Sequence, residues 1–330
     1  MPALNIAVAG GGIAGLTAAL AFAKNGHEIT VFERAKAFED NGAGIQISAN
    51  ACRVLRVLNL EQTVKAISFE PDVLQLSNGK SGRVLSTLPF KTLMQKRYDA
   101  PYLVAHRGDL QGVLLGAARS NPLINIETGT DVGDYQETPH SVIVGAKAFD
   151  LLIAADGIGS NLRPIIDPHA KIVIDGQTAS RATLPIKFAP SFQNAVSVYL
   201  NAGAHLVIYP MGHRPVLNLV YVSSGNQPPN GDGFCGEVKA LIDAAQDWKA
   251  WPLASVVSAQ WHKGRAMMIG DAAHAMTPHA AQGGALAIED AFVLAECIQN
   301  YRTIISAFEA FQAKRQIGRA SCRERVLMPV

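Results

Sequence analysis

Leu4-Asn5-Ile6-Ala7-Val8-Ala9-Gly10-Gly11-Gly12-Ile13-Ala14-Gly15 is an apolar run of strand formers that passes directly into glycines at the spacing G-x-G-x-x-G. Gly10 permits a tight turn, Gly12 lets the backbone approach a pyrophosphate, and Gly15 lets the next helix pack close to the strand. That helix spans roughly Ile13 to Lys24, with Leu16, Ala19, Leu20 and Ala23 at helical spacing and a stop at Asn25-Gly26. Its N-terminal amides and dipole suit an anion. A second strand, His27 to Phe32, ends at Glu33. An acid about 20 residues past the fingerprint is placed to accept hydrogen bonds from ribose hydroxyls. Arg34 follows it, either as part of the site or as a solvated charge. The segment is apolar enough to suggest a signal peptide or membrane helix, but it lacks a basic leader and carries turn glycines. Strand, turn and helix together read as a dinucleotide site.

At 330 residues the chain has room for two domains with substantial cores. Its 48% hydrophobic and 17% charged residues describe a well-packed α/β protein. A net charge of +2 argues against a nucleic-acid footprint. Cys52, Cys235, Cys297 and Cys322 are scattered, with no C-x-x-C pair, as in a cytoplasmic protein with reduced thiols and neither a disulfide framework nor a metal site. No repeat or stable membrane anchor is expected.

Beyond the first unit, Asn41-Gly42-Ala43-Gly44-Ile45 predicts a glycine turn, and a helix is expected from about Asn50 to Leu58. Val73-Leu74-Gln75-Leu76, Asn78-Gly79 and Arg83-Val84-Leu85 form a hairpin signature. A helix over Leu110 to Arg119 has Asp109 near its start, and Leu151 to Ala155 is a buried run ending at Asp156-Gly157. Strand patterns resume at Val196–Leu200, Leu206–Tyr209 and Leu217–Val222, and Pro228 to Gly233 reads as a loop. Ala266-Met267-Met268-Ile269 leads into Gly270-Asp271-Ala272-Ala273-His274. The expected fold is α/β: a Rossmann-like dinucleotide-binding domain (1–70, 99–175 and 262–330) with an inserted mixed or antiparallel β-sheet substrate domain (71–98 and 176–261).

With these motifs placed, the chain resembles the class A FAD-dependent monooxygenases, the single-component aromatic hydroxylases, in their salicylate-hydroxylase-like branch. The resemblance rests on Gly42 to Asn50, Pro101 to Leu110, Asp156-Gly157 with Ser160 and Arg163, and Gly270 to Pro278 followed by Ala281-Gln282-Gly283-Gly284 and Ile288-Glu289-Asp290-Ala291. It implies FAD as cofactor and NAD(P)H as electron donor, the latter without a Rossmann domain of its own. Asp271 ends a strand where an acid can bind the ribityl hydroxyls, although it can also cap the next turn. Pro278 to Gly284 is a turn into a helix, including Gly283 and Gly284, whose small residues admit the isoalloxazine ring. The helix N-terminus offers positive potential to reduced flavin. Asp156-Gly157 resembles the second motif, linked to FAD and the nicotinamide. Arg107 resembles an arginine near the flavin, or it simply pairs with Asp109.

The implied reaction passes oxygen from molecular O2, through a flavin C4a-hydroperoxide, to an electron-rich aromatic ring. Substrate recognition is expected on the inserted sheet, with Arg181, Tyr199, His205, Tyr209, His213 and Asn218 as candidates. Tyr209 or His213 are the catalytic candidates for deprotonating a phenol, because histidine ordinarily titrates near neutral pH. Alternatives are an epoxidase or decarboxylating hydroxylase of a non-phenolic ring, and a flavin-binding fragment without catalysis. Trp248 and Trp251 weakly suggest a halogenase tryptophan motif, but their spacing is one residue too long and no isoleucine-proline follows. Ile317 to Val326 departs from the family's ending and resembles a translated cloning adapter, so residues 317–330 are expected to be a non-native tail. A homodimer is the expected assembly.

Overall fold

The computed structural model describes residues 2–39 and 43–326, with side chains as far as Gln316. Asn41-Gly42 of the expected glycine turn lie outside the described residues, as do the side chains on which the expectation of a foreign tail rests. The chain forms two compact units, Met1–Glu39 with Gln111–Val173 and Ser255–Val330, and Asp40–Leu110 with Ile174–Ala254.

The first unit is built on a six-stranded sheet. Its order is His262–Lys263, Ala266–Met268, Leu151–Ala154, Asn5–Ala9, Glu28–Glu33, Ile124–Thr128. Every pairing is parallel except that of the His262–Lys263 edge strand. Strands buried on both faces need apolar residues throughout, which is why Ile6-Ala7-Val8 and Leu151–Ala154 are continuous rather than alternating. The helix Ile13–Lys24 has the bounds its periodicity predicts. It is buried on nearly every side, because its small Ala and Gly residues pack against the long helix Gly283–Asn300. A small antiparallel meander, Gln136–Glu137, Val142–Val144 and Lys147–Phe149, completes the strands of this unit. The C-terminal helix Ile304–Val326 buries Ala307, Phe308 and Phe311.

The second unit holds a seven-stranded mixed sheet. Its order is Lys249–Val257, Lys171–Pro185, Arg214–Ser224, Ala204–Met211, Ala195–Asn201, Val73–Asn78, Val84–Leu88. Ala195–Asn201 runs parallel to Val73–Asn78, while the expected hairpin pairs Val73–Asn78 antiparallel with Val84–Leu88. Side chains alternate across this sheet with the period of two that a strand imposes. Leu206 and Ile208 join Tyr199, Leu217, Leu219 and Tyr221 under the helix Gly236–Ala244. Val207 and Tyr209 face the other way, toward Tyr102, Val220, Leu253 and Trp251. A two-stranded ladder, Gly44–Ile47 with Leu103–His106, accompanies that second face.

Candidate functional site

In the first unit the glycine turn is fixed by steric necessity. A side chain at Gly15 would place its Cβ 1.9 Å from the Gly10 carbonyl oxygen, and one at Gly10 (φ +104°) would meet the Ala155 oxygen at 2.5 Å. At Gly12 a Cβ would meet nothing within 4 Å. Gly12 is also the N-cap of the Ile13–Lys24 helix and supplies no side-chain cap, which leaves the amide end of the helix to an outside anion. Glu33 is held beside it: its Oε2 accepts from Gly11 N at 2.8 Å and its Oε1 from Ala35 N at 2.9 Å. Gln111 donates to the Gly11 carbonyl at 2.9 Å. Arg34 is exposed.

The second motif is a capped turn. Asp156 Oδ2 accepts from Asn161 N at 2.9 Å and Leu162 N at 3.3 Å, while its Oδ1 is buried without a partner. Gly157 has φ +80°. Arg163 is buried and ties this turn to the third motif, donating to the Ile158 carbonyl at 2.6 Å and the Ala272 carbonyl at 3.3 Å. Burial lowers its guanidinium pKa, against the pull of Asp156. Asp271 is exposed at the start of the short helix Asp271–His274. Pro278 opens a 3-10 turn that ends at Ala281 in the left-handed region (φ +50°), and the next helix begins at Gly283-Gly284. An open helix end, an orphaned buried carboxylate oxygen and an exposed acid after a strand are features that FAD would complete. The residues present fit the cofactor.

In the second unit one face of the sheet gathers ionisable and aromatic groups. Arg181 stacks on Trp251 at 4.7 Å, and its Nε is buried with no hydrogen-bond partner. No carboxylate among the described residues pairs with it. Burial lowers its pKa, the positive charge of Arg107 pushes the same way, and Tyr209 pulls against both. Tyr209 pairs across strands with Asn218, which is fully buried with an unpartnered Nδ2. Asn218 Oδ1 accepts from Gly44 N at 3.1 Å. Tyr209 hydrogen-bonds Gln46, as does Tyr102. Burial pushes the Tyr209 phenol up to about 12, partly opposed by Arg181 and Gln46.

The other candidates lie elsewhere. Tyr199 is in the core on the opposite face of the sheet. His205 shares the face of Tyr209 but lies four residues away along the strand, roughly 13 Å, beside a separate small cavity with Gln177 and Ser224. His213 is half-exposed on a turn, its Nδ1 3.3 Å from the Ile67 carbonyl and 4.0 Å from Asp109. Arg107 is exposed, and its backbone N donates to the Ala43 carbonyl. The partner of Asp109 is Arg214, through a two-pronged contact of 2.9 and 2.5 Å. Trp248 packs edge-on against Tyr221, so both tryptophans of the weak halogenase pattern are packing residues of the sheet. Arg214 lies in no motif, and although Gln46 and Tyr102 fall within family-like stretches and Trp251 within the weak tryptophan pattern, nothing local marks them as facing Tyr209 or Arg181.

The parallel sheet with its glycine turn, joined to a mixed sheet by interleaved segments, defines a flavin-binding α/β architecture. Residues 3–214 and 236–302 match the family model of the FAD binding domain FAD_binding_3, and the chain belongs to this family of FAD-dependent aromatic hydroxylases. It is 31% identical over 337 residues to 3-hydroxybenzoate 6-hydroxylase 1 of Aquipseudomonas alcaligenes, covering 94% of this chain and 84% of that one. Identity to 6-hydroxynicotinate 3-monooxygenase of Pseudomonas fluorescens is 29%, over 94% of this chain and 88% of the relative. The fold matches Klebsiella pneumoniae HpxO complexed with FAD and uric acid at a TM-score of 0.82 and 22% identity, covering 94% and 84% of the two chains. The tetrameric form of 2-methyl-3-hydroxypyridine-5-carboxylic acid oxygenase matches at 0.80 and 22%, covering 96% and 88%. The protein is an FAD-dependent monooxygenase with NAD(P)H as electron donor.

Proposed function

We propose that this enzyme hydroxylates a small aromatic acid whose carboxylate is captured by Arg181. The single observation that carries this reading is a largely buried guanidinium with an unpartnered Nε, stacked on Trp251 and next to Tyr209. A buried cation without a counterion is costly, so a site of this kind favours an anionic ligand. Two relatives, a 3-hydroxybenzoate 6-hydroxylase and a 6-hydroxynicotinate 3-monooxygenase, support the same substrate class. The overall balance is ArH + O2 + NAD(P)H + H+ giving ArOH + H2O + NAD(P)+.

Bound FAD, once reduced by the nicotinamide, supplies the activated oxygen. The chain binds and orients. The amide end at Gly12 and the Gly10–Gly15 turn hold the pyrophosphate, Glu33 the adenosine ribose, and Asp271 the ribityl chain. Arg34 would lie at the adenosine end. Pro278, Gly283 and Gly284 present a helix N-terminus to the negative charge of reduced flavin. Asp156 and Gly157 serve the second motif. On the sheet, Arg181 fixes the substrate carboxylate and Trp251 backs the guanidinium. Asn218 Nδ2 offers a donor. Tyr209 remains a neutral phenol at working pH, so it hands a proton on through hydrogen bonds rather than acting as a free phenolate. His213, on an exposed turn with its Nδ1 3.3 Å from the Ile67 carbonyl, lies outside this hydrogen-bonded group.

The free thiols Cys52, Cys235 and Cys297 support a cytoplasmic location. No helix among the described residues is long and apolar enough to cross a membrane. The assembly is a homodimer, checked by light scattering. The functional test is the visible spectrum of the purified protein, followed by NADH and NADPH oxidation and product analysis with hydroxybenzoates, hydroxynicotinates and their decarboxylated analogues. Stimulation by the acids and not by the analogues is expected. Equal stimulation by both would refute the role of Arg181.

A further inference from the structure

The third motif is gripped from behind by a buried ionic chain that the oxygen chemistry does not use. Asp290 lies on the helix Gly283–Asn300 and has no exposed surface. Its Oδ2 accepts from Gly270 N at 2.9 Å and lies 2.5 Å from His274 Nε2. Gly270 and His274 bracket the short helix Asp271–His274, so one carboxylate oxygen clamps both ends of the segment that begins with Asp271. The clamp acts on a backbone with little freedom. Gly270 has φ +57°, and a Cβ there would sit 3.2 Å from the side chains of both Ala14 and Ala287.

The other oxygen of Asp290 reaches outward. Oδ1 accepts from Arg315 Nε at 2.6 Å, and Arg315 Nη1 pairs with Glu289 at 2.8 Å. Arg315 belongs to the C-terminal helix Ile304–Val326. Burial alone would push the Asp290 carboxyl up, but His274, Arg315 and the Gly270 amide together hold it below the usual range. Removing Arg315 therefore leaves a buried carboxylate short of charge balance, and its hold on Gly270 and His274 changes.

We propose that Asp290 and Arg315 are positioning residues for FAD, through which docking of the C-terminal helix sets the placement of Asp271. The inference rests on the reading of Asp271 as a flavin ligand. Gln312 provides the control. It lies on the same helix and holds it to the loop ahead of the third motif, accepting from Trp261 N at 2.7 Å and donating to the Ala259 carbonyl at 3.2 Å, without touching Asp290.

The test titrates the deflavinated full-length protein with FAD, followed by flavin fluorescence and visible circular dichroism, with a thermal melt of each variant. Arg315→Met and Asp290→Asn are each expected to weaken FAD binding roughly 10- to 100-fold and to alter the visible dichroism. In Asp290→Asn the new amide points donors at the Arg315 donors. The double variant Asp290→Asn/Arg315→Gln gives that amide an acceptor and should restore affinity to within about threefold. Gln312→Ala should lower the melting temperature while leaving FAD affinity within about threefold. If Arg315→Met does not fold, Arg315→Lys, which keeps the charge without the fork, reads the same contact and should lose affinity. FAD binding unchanged in the foldable Arg315 variant, or a loss in Gln312→Ala as large as in Arg315→Met, overturns the inference. Wild-type protein that takes up no FAD overturns the cofactor reading and this inference with it.

Discussion

The two units hold their chemistry by different means. In the first, the cradle proposed for the nucleotide is mostly backbone, with amides at a helix end and turns at Gly10 and Gly157, joined by acids at strand ends. In the second, the face proposed for substrate is made of side chains that meet through strand register, Arg181 on Trp251 and Tyr209 on Gln46. A backbone cradle dictates residue type, because only glycine admits the close approach. A side-chain face dictates only which residues share a surface. Damage to the first should therefore be steric and nearly complete, and damage to the second graded and specific to the ligand.

Paired glycine variants test this most severely. Gly15→Ala drives a Cβ into the Gly10 carbonyl at 1.9 Å, so the protein itself should lose about 2–3 kcal/mol of stability together with FAD binding. Gly12→Ala places its Cβ where the protein has nothing within 4 Å. The deflavinated variant should melt as wild type does, while FAD affinity falls on the order of 100-fold. Chemical denaturation combined with flavin titration separates the two. Normal FAD affinity in Gly12→Ala would mean that the space beside it is not the pyrophosphate site.

The next largest effect belongs to the other unit. Arg181→Met should cut kcat/KM for an aromatic acid roughly 100-fold, the scale of a lost charged hydrogen bond, with FAD affinity unchanged. Arg181→Lys should recover only part of it, since a point charge cannot reproduce a stacked planar fork. Steady-state NAD(P)H oxidation with acid and decarboxylated substrates reads the result. An equal loss on both substrates would reassign Arg181 to general packing of the sheet.

The same division governs what the sequence discloses. The helix Ile13–Lys24, the parallel strands around it and the hairpin at 73–88 follow from glycine spacing and apolar periodicity. The helix Phe90–Tyr98 does not, because its stripe of Phe90, Leu93 and Met94 is short and only half-buried. The helix Gly236–Ala244 has a stripe of Val238, Leu241 and Ile242, but a nine-residue helix is too short for that stripe to stand out. The helix expected from Leu110 begins at Arg107, because Asp109 sits inside its first turn and not ahead of it. In the site, the glycines and Glu33 can be read directly. The pairing of Arg181 with Trp251, or of Asp290 with Arg315, depends on register and helix docking that no local pattern encodes.

Tyr209→Phe asks whether the side-chain face contributes a proton path. Loss of the phenol should lower kcat about tenfold, with a smaller change in KM. Its folded-state pKa is raised to about 12, so the stability this burial confers is present below the ordinary phenol range near 10 and is lost as pH rises through the folded value. Alkaline unfolding should accordingly begin at higher pH in Tyr209→Phe than in wild type. An unchanged kcat with the same alkaline limb would place Tyr209 in the structure rather than in the chemistry.

The smallest effect is expected at Asp109, whose carboxylate receives the fork of Arg214 on a partly exposed surface of the second unit. The Arg214 hydrogen bonds outweigh the upward push of burial and hold its pKa below the usual range. A depressed carboxyl pKa stabilises the fold above the unfolded value near 3.9, and that contribution fades as pH falls through the folded value. Asp109→Asn should thus be less stable than wild type by about 1 kcal/mol at neutral pH, the scale of an ion pair screened by solvent. The difference should stay level from pH 7 to about 5 and shrink below about pH 4. Urea melts across that range read it directly. A gap that persists at low pH would show that the Asp109 contact works through the shape of the turn carrying Gly212, whose Cβ would fall 2.0 Å from the Ile67 carbonyl, so that even this side-chain face relies on a backbone constraint at its margin.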